Sequence, residues 1–347
     1  RRARRILDRA RSRVARFVAA DPDEVIFTAS ATEANNLAIL GTLAAHPARR
    51  RVVTTAFEHP SVGAVLDQLE ARGCTIVRVR PDRDGVVDPA AVIDAATAEP
   101  TALVSVMLAQ HEVGTLQPVH AIGPALRARG VPFHTDATQA AGALPIGLDR
   151  LDADLVTFSG HKIGAPHGAG VLLARRGFDP APILQGGGQE NGRRPGTENV
   201  AAIAGLGAVA ELLTTTLAAE AATIARNRDR LETAVDRDLA DVEVHGARVA
   251  RLPGTSSLHV RGAEAEALVI GCDLEGFAVS AGAACSSGTP GRSPALLAMG
   301  LADAAGSTLR VGLGWSTTDD TVDRFLIALA GVVARARAAA PTTAARS

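Results

Sequence analysis

The order of apolar and polar positions divides the chain into short, strongly apolar runs and longer stretches with helical spacing. Runs of strand length occur at 25–28, 51–57, 75–79, 101–108, 131–135, 154–158 and 170–174. Between several of them, at 32–43, 61–71, 89–98 and 119–128, apolar residues recur every three to four positions, as on one face of a helix. Strands alternating with helices predict an α/β fold: a mostly parallel sheet covered by helices, with any ligand beyond the carboxyl ends of its strands. An alanine-rich stretch at about 197–239 reads as one long bridging helix. Strand signals return at 242–245, 256–260, 278–280 and 308–313, with helices at 264–270 and 318–338, the pattern of a smaller α+β domain. The predicted organisation is therefore a large domain over 1–212 and a small one over 213–347, with a disordered tail at 339–347. At the start, Ile6, Leu7, Ala10, Val14, Phe17 and Val18 share one helical face, and the arginines around them form its solvated side. A transit peptide or a nucleic-acid arm is the competing reading of this basic segment.

Composition narrows the class. The chain has 347 residues, 47% hydrophobic and 21% charged, a globular balance with enough length for a sizeable core. A net charge of −1 gives no global field for nucleic acid. No uninterrupted apolar run approaches the roughly 20 residues of a membrane span, so a cytoplasmic protein with no membrane partner is expected. Three cysteines, Cys74, Cys272 and Cys285, are too few for a disulfide framework and fit a reducing compartment.

One residue stands apart. Lys and Arg total 36, and Lys162 is the only lysine, leaving 35 arginines. Arginine supplies charge and a hydrogen-bonding fork, but it neither loses its proton nor forms imines. A chain that uses arginine everywhere else and lysine here points to a required amine. Lys162 lies in Phe158-Ser159-Gly160-His161-Lys162, just after a predicted strand, where Ser159 and His161 can donate to an anionic group. An exposed turn lysine is the plain alternative.

Other segments add chemistry. In Phe133-His134-Thr135-Asp136-Ala137-Thr138-Gln139, Asp136 also ends a strand; it either caps the next helix or pairs with a pyridine nitrogen, making the ring a better electron sink. Gln139 can reach that ring's phenolic oxygen. Small residues from Thr28 to Ala31 precede a helix whose first amides, with the Thr32 hydroxyl, suit a phosphate; a plain N-cap at Thr32 explains the segment equally well. His59, after a strand, either stacks on a ring and carries protons or serves structure. Cys285 lies in a Ser/Gly-rich stretch that predicts an exposed, nucleophilic thiol, whereas Cys74 and Cys272 sit among apolar neighbours. Arg310, inside an apolar strand, calls for a carboxylate partner, either structural or belonging to a bound amino acid. The Gly-rich stretch 186–197 ends on Thr197, which is expected to open the long helix.

Taken together, A-T-E-A-N-N-L-A-I, F-E-H-P, H-E-V-G-T-L-Q-P, H-T-D-A-T-Q-A-A-G, F-S-G-H-K-I-G-A-P-H-G, G-G-G-Q-E-N-G-R-R-P-G-T and S-A-G-A-A-C-S-S-G resemble, in order, the cysteine desulfurases of the NifS/IscS type, fold-type I enzymes related to class-V aminotransferases. The resemblance implies pyridoxal phosphate as cofactor, with Lys162 as the Schiff-base lysine, Asp136 at the pyridine nitrogen, Gln139 and His111 near the phenolic oxygen, and His59 over the ring. It implies Ala31, Thr32, Ser159 and His161 at the phosphate, joined by Thr197 from a second subunit, Arg310 at the substrate carboxylate and Cys285 as sulfur acceptor. L-cysteine would yield alanine, leaving a persulfide for an acceptor protein such as an iron–sulfur scaffold or a thiolation enzyme; no direct nucleic-acid contact is expected. The family has asparagine where His111 stands and S-G-A-T where 29–32 reads Ala-Ser-Ala-Thr. Its N-A-A-T-T-P-like N-terminal segment has no counterpart, so that part of the substrate site is expected to lie outside the sequence or to be unordered. The alternatives are a class-V aminotransferase, a selenocysteine lyase, or a non-catalytic scaffold on the same fold.

Overall fold

A computed structural model describes residues 1–282 and 292–339. Cys285, and the tail predicted to be disordered apart from Ala339, lie outside the described residues. The chain divides into two compact units, the first comprising Arg1–Pro81, Val86–Gln110 and Gln117–Ala218, the second Asp82–Gly85, His111–Leu116 and the residues from Ala219 onward.

The first unit opens with α1 (Arg2–Phe17), which buries Leu7, Ala10, Val14 and Ala15 and turns most of its arginines to solvent. There follow β1 (Val25–Thr28), α2 (Ala31–Ala45), β2 (Arg51–Thr55), α3 (Pro60–Ala71), β3 (Thr75–Val79), α4 (Pro89–Thr97), β4 (Leu103–Ser105), α5 (Val119–Arg127), β5 (Phe133–Asp136), α6 (Leu148–Leu151), β6 (Leu155–Ser159), β7 (Gly170–Ala174) and the start of α7 (Val200–Asp238). The seven strands form one sheet in the order β1-β7-β6-β5-β4-β2-β3. Neighbours from β3 to β6 pair in parallel, while β7 is antiparallel to both β6 and β1. Six strands therefore run one way, and β7 alone runs against them. Every residue of β1, β5, β6 and β7 is buried. That burial explains why the strands read as unbroken apolar runs: a sheet covered on both faces has no polar side to alternate with.

The predicted run at 101–108 contracts to the three residues of β4. Val106–Ala109 remain buried, and the Val106 and Leu108 amides still bond to the His134 and Asp136 carbonyls of β5, while the Leu108 carbonyl turns to the Gln117 amide. The long helix starts at Val200, not Thr197, because the Asn199 side chain accepts from the Ala202 amide and caps it. Length and composition alone would let α7 cross a membrane, its most apolar window having a mean hydropathy of 1.7. Much of that value comes from alanine. In the first unit Ala202, Ile203, Leu206, Ala210, Leu213 and Leu217 form a buried stripe at helical spacing.

The second unit takes the remainder of α7 from Ala219, then β8 (Val242–Val244), β9 (Thr255–Val260), α8 (Ala265–Leu274), β10 (Ser280–Ala281), α9 (Pro294–Ala298), β11 (Thr308–Gly312) and α10 (Asp319–Ala339). Its sheet runs β10-β11-β9-β8, all antiparallel. Leu258, Val260, Leu309 and Val311 from the sheet pack with Leu268, Cys272, Phe325, Leu329 and Val332 from the helices.

Candidate functional site

Because six strands of the first sheet are codirectional, the carboxyl ends of β1, β2, β5 and β6 fall along one edge. Thr28, Thr55, Asp136 and Ser159 close these strands, and the candidate residues lie on or just after them.

Asp136 ends β5 and is 6% exposed. Its Oδ1 accepts the Thr138 amide at 2.9 Å and its Oδ2 accepts Asn35 Nδ2 at 2.7 Å. The Thr138 bond closes a turn rather than capping a helix, so the capping alternative does not describe Asp136. A carboxylate has about four lone-pair positions, so two donors leave room for a third. Beside it the buried hydroxyl of Thr138 has no partner among the described residues. Gln139 is half-buried in the same turn region.

His59 comes after β2 as the N-cap of α3: its Nδ1 accepts the Ser61 amide at 3.1 Å and lies 2.7 Å from the Ser61 hydroxyl. Both sequence readings of His59 thus have a basis, since it caps a helix and also stands at the site edge. Burial lowers its pKa; the charge of Asp136 opposes that shift and the charge of Lys162 assists it. Lys162 lies on a 3-10 turn, Gly160–Ile163, directly after β6, and its side chain is exposed. Asp136, His59 and Lys162 therefore share one electrostatic neighbourhood.

An anion cradle completes this edge. Ser30, rather than Thr32, caps α2: its Oγ accepts the Glu33 amide at 3.2 Å and its carbonyl takes the Ala34 amide. The amides of Ala31 and Thr32 are left for an external acceptor. Gly170 makes this loop possible: a Cβ there would meet the Ser30 carbonyl oxygen at 2.5 Å and its Cα at 2.7 Å. Ser159 Oγ lies 2.8 Å from Nδ1 of His161. His161 stacks on His167 at 5.5 Å, and burial, then the charges of Lys162 and His167, lower its pKa. Thr197 is exposed on the Gly-rich stretch, which three ion pairs tie down, one of them between Arg193 and Asp179 at 3.9 Å. Arg194 meets Glu33 at 2.6 Å, and Arg11 meets the buried Glu190, which also accepts the Phe27 amide at 2.9 Å.

Glu58, which sequence reasoning missed, is the most perturbed acid of this edge. Thr55 and the Met107 amide both donate to its Oε1, while its buried Oε2 has no partner among the described residues. Burial pushes its pKa up to about 8. Its place directly before His59 was the available signal.

His111 and Arg310 belong to the second unit. Arg310 on β11 donates to the His111 carbonyl at 2.8 Å. The His111 ring lies 3.7 Å from Glu112, a buried acid that accepts the Ser293 hydroxyl at 2.6 Å. Burial raises Glu112 to about 7, against that hydroxyl and the charge of Arg310. Cys285 lies outside the described residues.

The first unit thus offers an amine, a carboxylate with a free lone pair, a half-buried imidazole and a pair of helix amides beside Ser159. This donor set fits pyridoxal phosphate: Lys162 for the aldehyde, Asp136 for the ring nitrogen, and the α2 start with Ser159 and His161 for the phosphate. Comparison with known proteins agrees. The chain is 40% identical over 333 residues to a cysteine desulfurase of Nostoc, covering 96% of this chain and 83% of that protein. It is 37% identical over 337 residues to the cysteine desulfurase NifS of Azotobacter vinelandii, covering 96% and 84%. The solved structure of a NifS-like protein superposes with a TM-score of 0.89 at 29% identity, covering 96% of this chain and 89% of that one. With residues 1–325 matching the family model as well, the chain belongs to the class-V aminotransferase family, whose members use pyridoxal phosphate.

Proposed function

We propose that this chain is a cysteine desulfurase, converting L-cysteine to L-alanine and holding the released sulfur as a persulfide on Cys285. The observation that carries the reading is 40% identity, across 96% of the chain, to a protein of that name. The reaction balances without an outside oxidant: the substrate's sulfur joins the Cys285 thiol, and the substrate carbon that loses sulfur gains a proton to become alanine's methyl group.

Pyridoxal phosphate supplies an aldehyde that takes amines and a ring that stores an electron pair. In this reading Lys162 would hold the aldehyde, and as a free amine it would take the substrate's α-proton. Asp136 keeps the ring nitrogen protonated, Gln139 and His111 serve the phenolic oxygen, and His59 covers the ring and moves protons. Ala31, Thr32, Ser159 and His161 hold the phosphate. Arg310 takes the substrate carboxylate, and Cys285 attacks sulfur as the thiolate. The chain acts as a cytoplasmic homodimer with Thr197 serving the partner's phosphate, and passes sulfur to an acceptor protein of iron–sulfur assembly or thiolation.

The test measures alanine and sulfide formed from L-cysteine in the presence of a thiol reductant. Alanine from the parent chain, lost in Cys285→Ala and in Lys162→Ala, is the expected result. Amino-group transfer to a keto acid that survives Cys285→Ala would replace this reading with a transaminase. Turnover of selenocysteine alone would replace it with a selenocysteine lyase. Light scattering of the purified chain checks the dimer.

A further inference from the structure

Behind Asp136 lies a set of buried polar side chains to which neither the sequence nor the family reading gives a task. Asn35, fully buried on α2, reaches Asp136 at 2.7 Å, Ser61 at 2.8 Å and Thr157 at 2.5 Å. Thr157 lies 3.3 Å from Nε2 of His134, and Ser105 lies 2.8 Å from Nδ1 of the same ring. Ser61 in turn meets Nδ1 of His59. Ser105, His134 and Thr157, like Asn35, have no solvent exposure.

The Asp136 carboxylate sets the donor direction of the bonds nearest it, and the farther ones follow from the hydrogens left to each neighbour. A carboxylate at neutral pH only accepts, so Asn35 must turn its amide nitrogen to Asp136. Its second N–H goes to Ser61, and its carbonyl is left to Thr157, whose hydroxyl donates. The Thr157 oxygen then accepts from Nε2–H of His134. Burial lowers His134 to about 4, so the ring is neutral and its bare Nδ1 accepts from Ser105. On the other branch the Ser61 amide donates to Nδ1 of His59, so that nitrogen carries no proton and the Ser61 hydroxyl beside it can only donate to it. Neutral His59 therefore carries its proton on Nε2.

We propose that Asn35 is a positioning residue: it is the junction of a one-directional buried relay, Ser105–His134–Thr157–Asn35, that aims the Asp136 carboxylate and, through Ser61, fixes the ring and the proton of His59. The significance of this arrangement rests on the reading of Asp136 and His59 as the groups flanking the cofactor ring. The relay itself rests on the hydrogen-bond geometry. Chained donors polarise one another, so a change several bonds away reaches Asp136.

Two variants test it. Thr157→Val removes one hydroxyl that touches neither Asp136 nor His59. Asn35→Asp keeps the shape but sets a second carboxylate against the first. Parent and variants, purified with cofactor, are labelled with ¹⁵N-histidine, and the His134 and His59 signals are assigned by their loss in His134→Gln and His59→Gln. The parent is expected to show Nε2–H on both rings. Thr157→Val moves the His134 proton to Nδ1 in a measurable share of molecules. Asn35→Asp shifts the pH midpoint of the cofactor's absorbance band by about one unit or more, because two facing carboxylates cannot both stay ionised. Unchanged proton positions in Thr157→Val overturn the relay, and this variant suffices if Asn35→Asp does not fold. A parent that takes up no cofactor, yet shows the expected proton positions, sinks the reading of the site and leaves the relay standing.

Discussion

The Thr55 hydroxyl donates to Oε1 of Glu58 at 2.7 Å, while the other carboxyl oxygen of Glu58 lies buried without a partner among the described residues. With burial raising its pKa to about 8, Glu58 is protonated at neutral pH, one residue before His59 in the chain. The unfolded chain titrates this group at its ordinary value near 4.5. Between those values the native state holds the extra proton, so this group's contribution to stability is full below about 4.5 and is lost as pH rises through about 8. In urea unfolding across this range Glu58 adds a downward slope of stability with pH, opposed by His134, whose lowered pKa makes its own contribution rise. Glu58→Gln, which cannot ionise, should flatten that slope.

Arg11 and Glu190 make a different kind of contact, an ion pair with Glu190 almost wholly buried and Arg11 mostly so. Removing one partner strands the other's charge. Arg11→Leu is expected to cost roughly 3 kcal/mol by urea unfolding. Arg11→Leu combined with Glu190→Gln should recover much of that loss.

Gly170→Ala places a methyl against the Ser30 backbone, where no flexible side-chain end can yield. A loss of about 2 kcal/mol or more is expected from such overpacking. Because the displaced segment is the cap of α2, cofactor retention on dialysis should fall as well. Equal stability and retention in the variant would show that the cap does not depend on this close approach.

Lys162 is the only side-chain amine in the sequence. Borohydride reduction of the cofactor-loaded chain should therefore fix the cofactor to one internal peptide, the one containing Lys162, as read by mass spectrometry. Lys162→Arg keeps the charge but should abolish the adduct, since a guanidinium does not condense with an aldehyde.

Most of the fold was legible because periodicity is local. The strands at 25–28, 75–79 and 170–174 coincide with β1, β3 and β7, and the helix predicted from Ser61 begins one residue earlier, at Pro60. An apolar run can outlast the strand it predicts: β4 ends at Ser105, while Val106–Ala109 stay buried and the Val106 and Leu108 amides still bond to β5. Lys162 and Asp136 stood out because residue type and place at a strand end are both local facts. Asn35 did not, since its meaning comes from Asp136, 101 positions away, and from Thr157, 122 positions away. The cap of α2 falls on Ser30 and not on Thr32, the cap read from the sequence, and the close approach of Gly170 to the Ser30 backbone, a contact distant in sequence, accompanies it.

The reversed direction of β7 has a consequence for Lys162. Parallel neighbours need a crossover of a dozen or more residues, but Ser159 and Gly170 face each other in register across antiparallel strands. The reactive amine therefore rides on a short return loop anchored at both ends in the same ladder. Its position is inherited from strand register rather than from the packing of a distant helix. Lengthening that loop by a few residues would loosen the tether without disturbing the sheet, and the chain would remain folded while its amine lost its address.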